Sequence, residues 1–306
     1  MAASRLLERA WPVSILVDSR TRLVVQGITG QTARTHVGLM RAYGTQIVAG
    51  VSPGRGGSEI DGVPVFDTLH QAIAATRANT SLVVLPPRLA ADGILEAFAA
   101  EVPLVVCVSE GMPVHDMLTV LAQQRRSCSR LIGPNCPGLA SPGQALVGVM
   151  PGMLLRPGPV GLVSRSGTLA YEVSFALLEA GLGQSTWVGV GGDALKGTRF
   201  VDVLPLFADD PQTRLVALLG EIGGDDEERA ADMIGQGYPK PVMALVAGER
   251  APRGRPVGHA GAIISSAGGD HGAKVEALRA AGVHVALSPA ELAARAVTLA
   301  RRDAPG

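Results

Sequence analysis

His259 is the residue of this sequence whose setting is best suited to chemistry. It lies in the segment GHAGA, residues 258–262, among neighbours with almost no side chains. The imidazole of such a loop is sterically open, and a neutral ring nitrogen is a nucleophile near neutral pH. Glu221 lies between glycines at the end of a predicted strand. Its carboxylate could accept the Nδ1 hydrogen of His259 and leave Nε2 free to react. A structural histidine and a capping or salt-bridged glutamate are the alternatives.

A second feature is an anion-binding turn in the motif SRSGT, residues 164–168. Ser166 or Thr168 can cap the helix that follows, and Gly167 lets an anion approach the N–H groups of its first turn. An ordinary capped helix is the alternative. A nucleophilic histidine, an orienting carboxylate and a helix N-terminus together suggest a phosphorylated histidine held against a helix dipole.

Two glycine-rich loops lie in the first half of the chain. Gly27, Gly30 and Ala33 follow a predicted strand and open a helix, which is a weak variant of the dinucleotide-binding spacing. After the next strand, the loop SPGRGG at residues 52–57 carries Arg55 where NAD-binding proteins carry an acid. A cation there favours a phosphorylated ribose, as in NADP or coenzyme A (CoA), over NAD. A solvated arginine beside a structural turn is the alternative.

Short apolar runs alternate with helical patterns along most of the sequence. The predicted strands cover residues 23–28, 46–51, 81–85, 104–108, 131–133, 160–163, 186–190, 215–219, 242–246 and 284–287. This alternation predicts an α/β fold with parallel sheets covered by helices on both faces. In such sheets the ligand lies beyond the carboxyl ends of the strands, which is where the loops described above are found.

Length and composition predict two domains. The chain has 306 residues, roughly twice the usual domain size. Because the segment 137–161 contains five prolines and six glycines, we predict a linker at 137–160 between a domain at 13–136 and a domain at 161–306. Residues 1–12 are too polar for a signal peptide and are predicted to be an N-terminal extension.

Charge and composition exclude several classes of partner. The 27 Lys and Arg residues balance 27 Asp and Glu residues, so no overall field draws the protein onto nucleic acid or an anionic membrane. Prolines interrupt the longest uncharged stretch, which predicts that no segment spans a membrane. The three cysteines form neither a CxxC pair nor a disulfide framework, and a cytoplasmic location is expected. No metal site is predicted within this chain.

The order of the motifs resembles a known family. The sequence contains, in this order, QGITG, AGVSPGRGG, GPNCPG, SRSGTLAYE, GEIGG and GHAGAII. This set is similar to the α subunits of succinyl-CoA synthetase and its acid–CoA ligase relatives, from about Val13 to Leu299. The resemblance implies an N-terminal Rossmann-like CoA-binding domain followed by a flavodoxin-like parallel α/β ligase domain. It also implies an ATP-grasp β subunit that binds ATP or GTP with Mg²⁺, in an αβ or α2β2 complex.

The resemblance assigns roles to individual residues. His259 matches the phosphorylated histidine of the family, Glu221 its orienting carboxylate, and Tyr171 a residue of the organic acid site. The helix terminus that faces the phosphohistidine is matched by Ser166, Gly167 and Thr168. The CoA-binding positions are matched by Thr29, Gly30, Gln31, Thr32, Arg55, Val108, Ser109 and Glu110.

The implied activity is that of an ADP- or GDP-forming acid–CoA ligase of the tricarboxylic acid cycle, active only with its β subunit. Phosphate passes from the nucleotide to the histidine and then to the carboxylate of the acid, after which the CoA thiol displaces it. Succinate is the expected acid, and malate, citrate or another carboxylic acid is the alternative. A non-catalytic CoA-binding regulatory protein is an alternative of another class. An NADP oxidoreductase would need a hydride-transfer site, which the sequence does not offer.

The charge of a phosphohistidine adds a further expectation. A phosphoryl group carries a charge of about −1.5 to −2 near neutral pH, whereas one helix N-terminus supplies only about +0.5. One helix therefore cannot neutralise it. We expect a second helix end or a cation, contributed by the β subunit, to face His259.

Overall fold

The computed structural model describes residues 14–265 and 268–302, and the chain divides into two compact units. The first, which we call the N-terminal unit, comprises residues 16–152 and 195–198. The second, the C-terminal unit, includes residues 153–194 and the chain from Arg199 onward. The predicted extension at residues 1–12 lies outside the described residues.

The N-terminal unit is built around a mainly parallel sheet. Its elements are β1 (Arg22–Gln26), α1 (Gln31–Tyr43), β2 (Gln46–Val51), β3 (Glu59–Ile60), β4 (Val63–Phe66), α2 (Leu69–Thr76), β5 (Thr80–Val83), α3 (Pro87–Ala99), β6 (Leu104–Cys107), α4 (Val114–Gln124), β7 (Arg130–Ile132), β8 (Gly138–Ser141) and β9 (Ala145–Gly148). The strand order of the sheet is β3-β4-β2-β1-β5-β6-β7, and only β3 runs antiparallel to its neighbour. From β4 to β7 this is the Rossmann order, which confirms the predicted fold.

The C-terminal unit contains a second parallel sheet. Its elements are β10 (Pro157–Ser164), α5 (Gly167–Glu179), β11 (Gln184–Gly189), α6 (Phe200–Asp209), β12 (Leu215–Glu221), α7 (Asp226–Gly235), β13 (Val242–Ala247), α8 (His271–Ala280), β14 (His284–Val285) and α9 (Pro289–Arg302). The strands of this unit lie in the order β14-β13-β12-β10-β11, and neighbouring strands pair in parallel. This is the flavodoxin-like order, and it confirms the prediction for the second half.

One inner strand of each sheet is buried along its whole length. Every residue of β6, with the sequence LVVC, and of β12, with the sequence LVALLGE, is buried. Continuous apolar runs are typical of parallel strands that helices cover on both faces. Glu221 is therefore a carboxylate at the end of an apolar strand, where the carboxyl edge of the sheet begins.

The segment 137–160 differs from the predicted linker. It contains the antiparallel hairpin β8–β9 and the beginning of β10. Gly138 and Gly148 pair across this hairpin, and a Cβ atom at Gly138 would lie 2.0 Å from the carbonyl oxygen of Val147. Glycine is needed here because the two strands approach closely, so the composition that suggested an irregular linker reflects tight packing.

None of the helices in the part of the chain that the structure describes is long and apolar enough to cross a lipid bilayer.

Candidate active site

The structure brings the predicted pair of His259 and Glu221 together at the carboxyl edge of the C-terminal sheet. Glu221 is the last residue of β12, and His259 lies in the long loop that follows β13. Nδ1 of His259 lies 2.7 Å from Oε2 of Glu221, and the two side chains are 23% and 7% exposed. When the carboxylate is ionised it accepts a hydrogen bond from Nδ1–H, and the ring lone pair then lies on Nε2.

Gly192, in the loop after β11, forms the surface behind the imidazole. A Cβ atom at this position would lie 2.3 Å from Cγ of His259. The backbone N–H of Gly261 donates to the carbonyl of Gly192 at 3.0 Å, which holds the two loops together. Because β10 lies between β11 and β12, a ring that contacts Gly192 and Glu221 lies across the carboxyl end of β10, where α5 begins.

Replacing Gly192 with alanine is expected to displace the imidazole. The added methyl group would need the space that Cγ of His259 occupies, and an error of about 1 Å in a reacting group can cost about 100-fold in rate. For the phosphorylation that the sequence predicts at His259, we expect incorporation of phosphate to slow by about that factor, measured with labelled nucleotide in the complex that the resemblance implies. Gly235→Ala is the matched control, since a Cβ atom there would lie 3.7 Å from Cβ of Ala281, its nearest neighbour outside the local helix. An unchanged rate in Gly192→Ala would contradict this placement of the ring.

The helix terminus predicted to bind phosphate is the start of α5. Ser166 is the N-cap, and its side chain accepts a hydrogen bond from the N–H of Leu169 at 3.3 Å. Gly167 and Thr168 form the first turn, whose N–H groups have no acceptor within the helix. These groups point along the helix axis toward the sheet edge that carries His259, which suits an anion.

Tyr171, the predicted acid-site residue, lies one turn further along α5. Its ring stacks on Trp187 of β11 with centroids 6.1 Å apart and an interplanar angle of 18°. Trp187 is buried, and its Nε1 donates to Ser174 at 3.1 Å. Since the indole is fixed in this way, the stack restricts the orientations that the Tyr171 ring can adopt.

A buried ionic cluster behind Glu221 was not predicted from the sequence. Arg165, Glu227 and Lys274 have side chains that are 2%, 0% and 0% exposed. Nη1 of Arg165 lies 3.1 Å from Oε1 of Glu227, and Nζ of Lys274 lies 2.5 Å from Oε2 of the same carboxylate. Nη2 of Arg165 lies 3.4 Å from Oε1 of Glu221. The feature of the sequence that could have indicated this cluster is Arg165, which lies within the SRSGT motif directly after a buried strand.

The charge of Arg165 is maintained despite its burial. Burial by itself lowers the pKa of the guanidinium, but the charges of Glu227, Glu221 and Asp226 outweigh this effect and raise the pKa above its usual value. The guanidinium therefore stays protonated at every physiological pH.

In the N-terminal unit, the predicted CoA-binding residues lie in loops at the carboxyl ends of adjacent strands. Gly27 begins the loop after β1 with φ +82°, and a Cβ atom there would lie 2.3 Å from the carbonyl oxygen of Val84. Oγ1 of Thr29 lies 3.2 Å from Oγ of Ser52, which connects this loop to the one after β2. Gly30 precedes α1 without a side-chain cap, and Gln31 and Thr32 open the helix.

The loop that carries Arg55 is held by its backbone. The N–H of Arg55 donates to the carbonyl of Ser52 at 3.1 Å, its carbonyl accepts from Ser58 Oγ at 2.6 Å, and the N–H of Gly56 donates to Asp67 at 2.8 Å. The Arg55 side chain is exposed. A fixed backbone with an exposed guanidinium suits the capture of a phosphate group from solvent.

Val108, Ser109 and Glu110 follow β6, which is next to β5 in the sheet. Oγ of Ser109 donates to the carbonyl of Leu85 at 2.6 Å, so this loop is tied to the one after β5. Ser109 is buried and Glu110 is exposed. The structure therefore places these residues at the same sheet edge as the first loop, with their side chains in different environments.

Sequence reasoning missed a pocket beside the first loop. It has a volume of about 550 Å³ and is lined by Thr29, Gln31, Arg34, Thr35 and Asp61. Nε of Arg34 pairs with Oδ2 of Asp61 at 3.4 Å. Arg34 adds a second cation near the predicted CoA-binding residues. The sequence signal for Arg34 is its position at the end of the segment GITGQTAR, one helical turn after Gly30.

Within residues 14–265 and 268–302, no cluster of three or more His, Cys, Asp or Glu side chains could hold a metal ion.

Two family models match the chain, one in the first half and one in the second. The model of the CoA binding domain matches residues 18–111. The model of the CoA-ligase domain matches residues 163–284. The first range covers the Rossmann-like strands from β1 to β6, and the second covers Glu221 and His259.

Similar proteins match nearly the full chain. Subunit alpha 2 of the succinate–CoA ligase (ADP-forming) of Archaeoglobus fulgidus is 50% identical over 281 residues, which are 92% of this chain and 98% of the relative. The alpha subunit of the succinate–CoA ligase (ADP-forming) of Aquifex aeolicus is 49% identical over 282 residues, 92% of each chain.

A solved structure of lower identity shares the fold. A variant of the ATP citrate lyase of Methanosaeta concilii in complex with (3S)-citryl-CoA matches with a TM-score of 0.85 and 25% identity. The match covers 95% of this chain and 53% of the solved chain, so this chain spans about half of that protein. The identity and coverage of the alpha subunits, together with the two matching domain models, place the chain in the family of succinate–CoA ligase α subunits.

Proposed function

We propose that this chain is the α subunit of an ADP-forming succinate–CoA ligase and that His259 carries the phosphoryl group between nucleotide and acid. The observation that carries this proposal is the 2.7 Å contact between Nδ1 of His259 and Glu221 at the edge of the ligase sheet. It leaves Nε2 as the nucleophile, beside the start of α5. The 50% identity to an ADP-forming succinate–CoA ligase subunit supports the same reaction.

In the first step, Nε2 of His259 attacks the γ-phosphorus of ATP, a nitrogen–phosphorus bond forms and ADP leaves with the electrons of the broken oxygen–phosphorus bond. The ring gains positive charge during the attack, and the carboxylate of Glu221 stabilises it through the bond to Nδ1–H. The N–H groups at Gly167 and Thr168 then face the phosphoryl oxygens.

In the second step, a carboxylate oxygen of succinate attacks the phosphorus, the nitrogen–phosphorus bond breaks and an acyl phosphate forms. A free carboxylate is a poor acyl donor because its leaving group would be oxide, and phosphate is a far better one. In the third step, the CoA thiol loses its proton, its sulfur attacks the acyl carbon and phosphate leaves. The products are succinyl-CoA, ADP and phosphate.

A partner subunit is part of this proposal. We assign ATP and Mg²⁺ to an ATP-grasp β subunit in an αβ or α2β2 complex, because the family relatives are named as alpha subunits. The partner would also supply the positive groups that a phosphohistidine needs beyond one helix terminus. A cytoplasmic location and a place in the tricarboxylic acid cycle stay predictions.

Succinate is favoured over citrate as the acid. The chain is 50% identical to a succinate–CoA ligase subunit and 25% identical to the ATP citrate lyase. A panel of succinate, malate and citrate with the purified complex checks this choice. Turnover with malate or citrate and none with succinate would reject it.

Phosphate labelling tests the central step. The complex is incubated with ATP labelled in the γ-phosphate, and mass spectrometry locates the modified residue. We expect an acid-labile, base-stable label at His259 that succinate and CoA together discharge. A complex that makes succinyl-CoA while residue 259 stays unmodified would refute the proposal, and a complex that makes neither would favour a regulatory CoA-binding protein.

Replacing Arg55 with glutamine is expected to weaken CoA binding without affecting the histidine. Loss of a charge-assisted contact at an exposed site should raise the KM for CoA by about 10-fold. The rate of phosphate incorporation from ATP should stay unchanged, because that step does not involve CoA. Arg126→Gln, at an exposed arginine in the turn that follows α4 in the same unit, is the matched control. An unchanged KM for CoA in Arg55→Gln would exclude Arg55 from the binding site.

A further inference from the structure

The turn that follows Glu221 is held from behind by buried cations. Nη1 of Arg165 donates to the carbonyl oxygens of Glu221 at 3.0 Å and Gly223 at 2.8 Å. Nζ of Lys274 donates to the carbonyl oxygen of Gly224 at 2.9 Å. Because these contacts fix the backbone at the end of β12, they also fix the point from which the Glu221 side chain extends.

Glu227 of α7 holds these cations in place. Its Oε1 accepts from Nη1 of Arg165 and from the backbone N–H of Glu221, both at 3.1 Å. Its Oε2 accepts from Nζ of Lys274. Lys274 also pairs with Glu228, with Nζ 2.8 Å from Oε2. Because Lys274 contributes to the neutralisation of Glu227, Arg165 is shared between Glu227 and Glu221 rather than taken up by Glu227 alone.

The two oxygens of the Glu221 carboxylate have different surroundings. Oε2 contacts Nδ1 of His259 at 2.7 Å, whereas Oε1 faces Nη2 of Arg165 at 3.4 Å and makes no hydrogen bond within the described residues. The orientation of the carboxylate therefore depends on the histidine on one side and on the charge of Arg165 on the other. Without that charge, the carboxylate would be free to rotate away from the imidazole.

From these contacts, and resting on the proposed function, we infer that Arg165 is a positioning residue for phosphoryl transfer. It acts through Glu221: the ion pair of the guanidinium with Oε1 keeps Oε2 of the carboxylate directed at Nδ1, so that Nε2 of His259 presents its lone pair to the phosphorus. Arg165 needs no contact with ATP, succinate or CoA for this role. Because Arg165 also donates to backbone carbonyls of Glu221, Gly223 and Gly261, its removal should slow the transfer in any background, but by a larger factor when residue 221 carries a charge.

A double-mutant cycle in the assembled complex tests this dependence. The variants are Arg165→Gln, Glu221→Gln and the double variant, and the readout is the single-turnover rate of label transfer from ATP to His259. We expect Arg165→Gln to slow this step by about 10- to 100-fold in the wild-type background, with little change in the KM for ATP. In the Glu221→Gln background, the same change should slow the step by a smaller factor, at least about threefold below that loss.

Two further variants separate positioning from folding. Arg165→Lys keeps the charge but loses the planar pair of donors. With Glu221 present, its labelling rate should lie between those of the wild type and Arg165→Gln. In the Glu221→Gln background, Arg165→Lys should have a smaller effect. If Arg165→Gln does not assemble, Arg165→Lys alone completes the cycle. Arg229→Gln is the matched control, because this arginine lies on α7, is 58% exposed and pairs with Asp225.

The outcomes are distinct. If Arg165→Gln slows labelling by the same factor in the wild-type and Glu221→Gln backgrounds, its role is merely structural and the inference is overturned. A wild-type labelling rate in Arg165→Gln would overturn it as well. A wild-type complex that never labels His259 would instead refute the proposed function itself.

Discussion

Complexes that carry His259→Asn are expected to form no succinyl-CoA above background and to take up no phosphate from ATP. Asparagine preserves a polar side chain but has no nucleophilic nitrogen, so the nitrogen–phosphorus bond cannot form. Deleting the nucleophile of an enzyme costs on the order of 10⁴-fold or more in rate, and we expect a loss of at least that size. The measurement is steady-state thioester synthesis together with single-turnover labelling.

The control for this change is His284→Asn in the same unit. The His284 side chain is 39% exposed, and its Nε2 lies 3.4 Å from Oε1 of Glu291. We expect it to retain wild-type labelling and turnover. CoA binding by the N-terminal unit should survive in both variants, because its predicted residues belong to the other sheet. Thioester synthesis that persists in His259→Asn would exclude a covalent role for this histidine.

Much of the fold followed from hydrophobic periodicity alone. Strand β2 has the predicted bounds, since an apolar run that ends on a glycine-rich loop leaves little choice. The short strands β3 and β4 were not predicted, because they hold few residues and β4 contains Pro64, which weakens the strand signal. The hairpin β8–β9 was missed for a related reason: Gly138 and Gly148 indicate a loop unless the facing strand is known.

Part of the site was also predicted from the sequence, and part was not. His259 and Glu221 were predicted together because both follow strands of one parallel sheet, and such loops meet at one edge. Lys274 was not predicted as part of the site, because a lysine in the helical pattern HGAKVEALRA normally faces solvent. Its burial depends on the packing of α7 against α8 and on the position of Glu227. Only the tertiary structure shows that one carboxylate receives both Arg165 and Lys274.

Replacing Glu221 with glutamine should have the second largest effect, because it removes a charge while it preserves shape. An amide oxygen can still accept from Nδ1–H of His259, but it offers no negative charge to the ring during attack on phosphorus. In the opposite orientation, the amide NH₂ would donate to Nδ1, which puts the ring hydrogen on Nε2 and blocks attack. Loss of an orienting carboxylate costs roughly 10²- to 10⁴-fold, and we expect phosphohistidine formation to slow within that range.

Measurement in both directions separates this effect from damage to the partner's nucleotide site. Because both directions pass through one transition state, Glu221→Gln should also slow the return of phosphate from His259 to ADP, with the KM for ATP nearly unchanged. Glu179 is an exposed glutamate at the end of α5, and Glu179→Gln should slow neither the forward step nor the return of phosphate. A Glu221→Gln complex with a normal labelling rate would show that the 2.7 Å contact only holds the loop. The role of Arg165 would then fail with it, since we infer that the charge of Arg165 acts on the imidazole through this carboxylate.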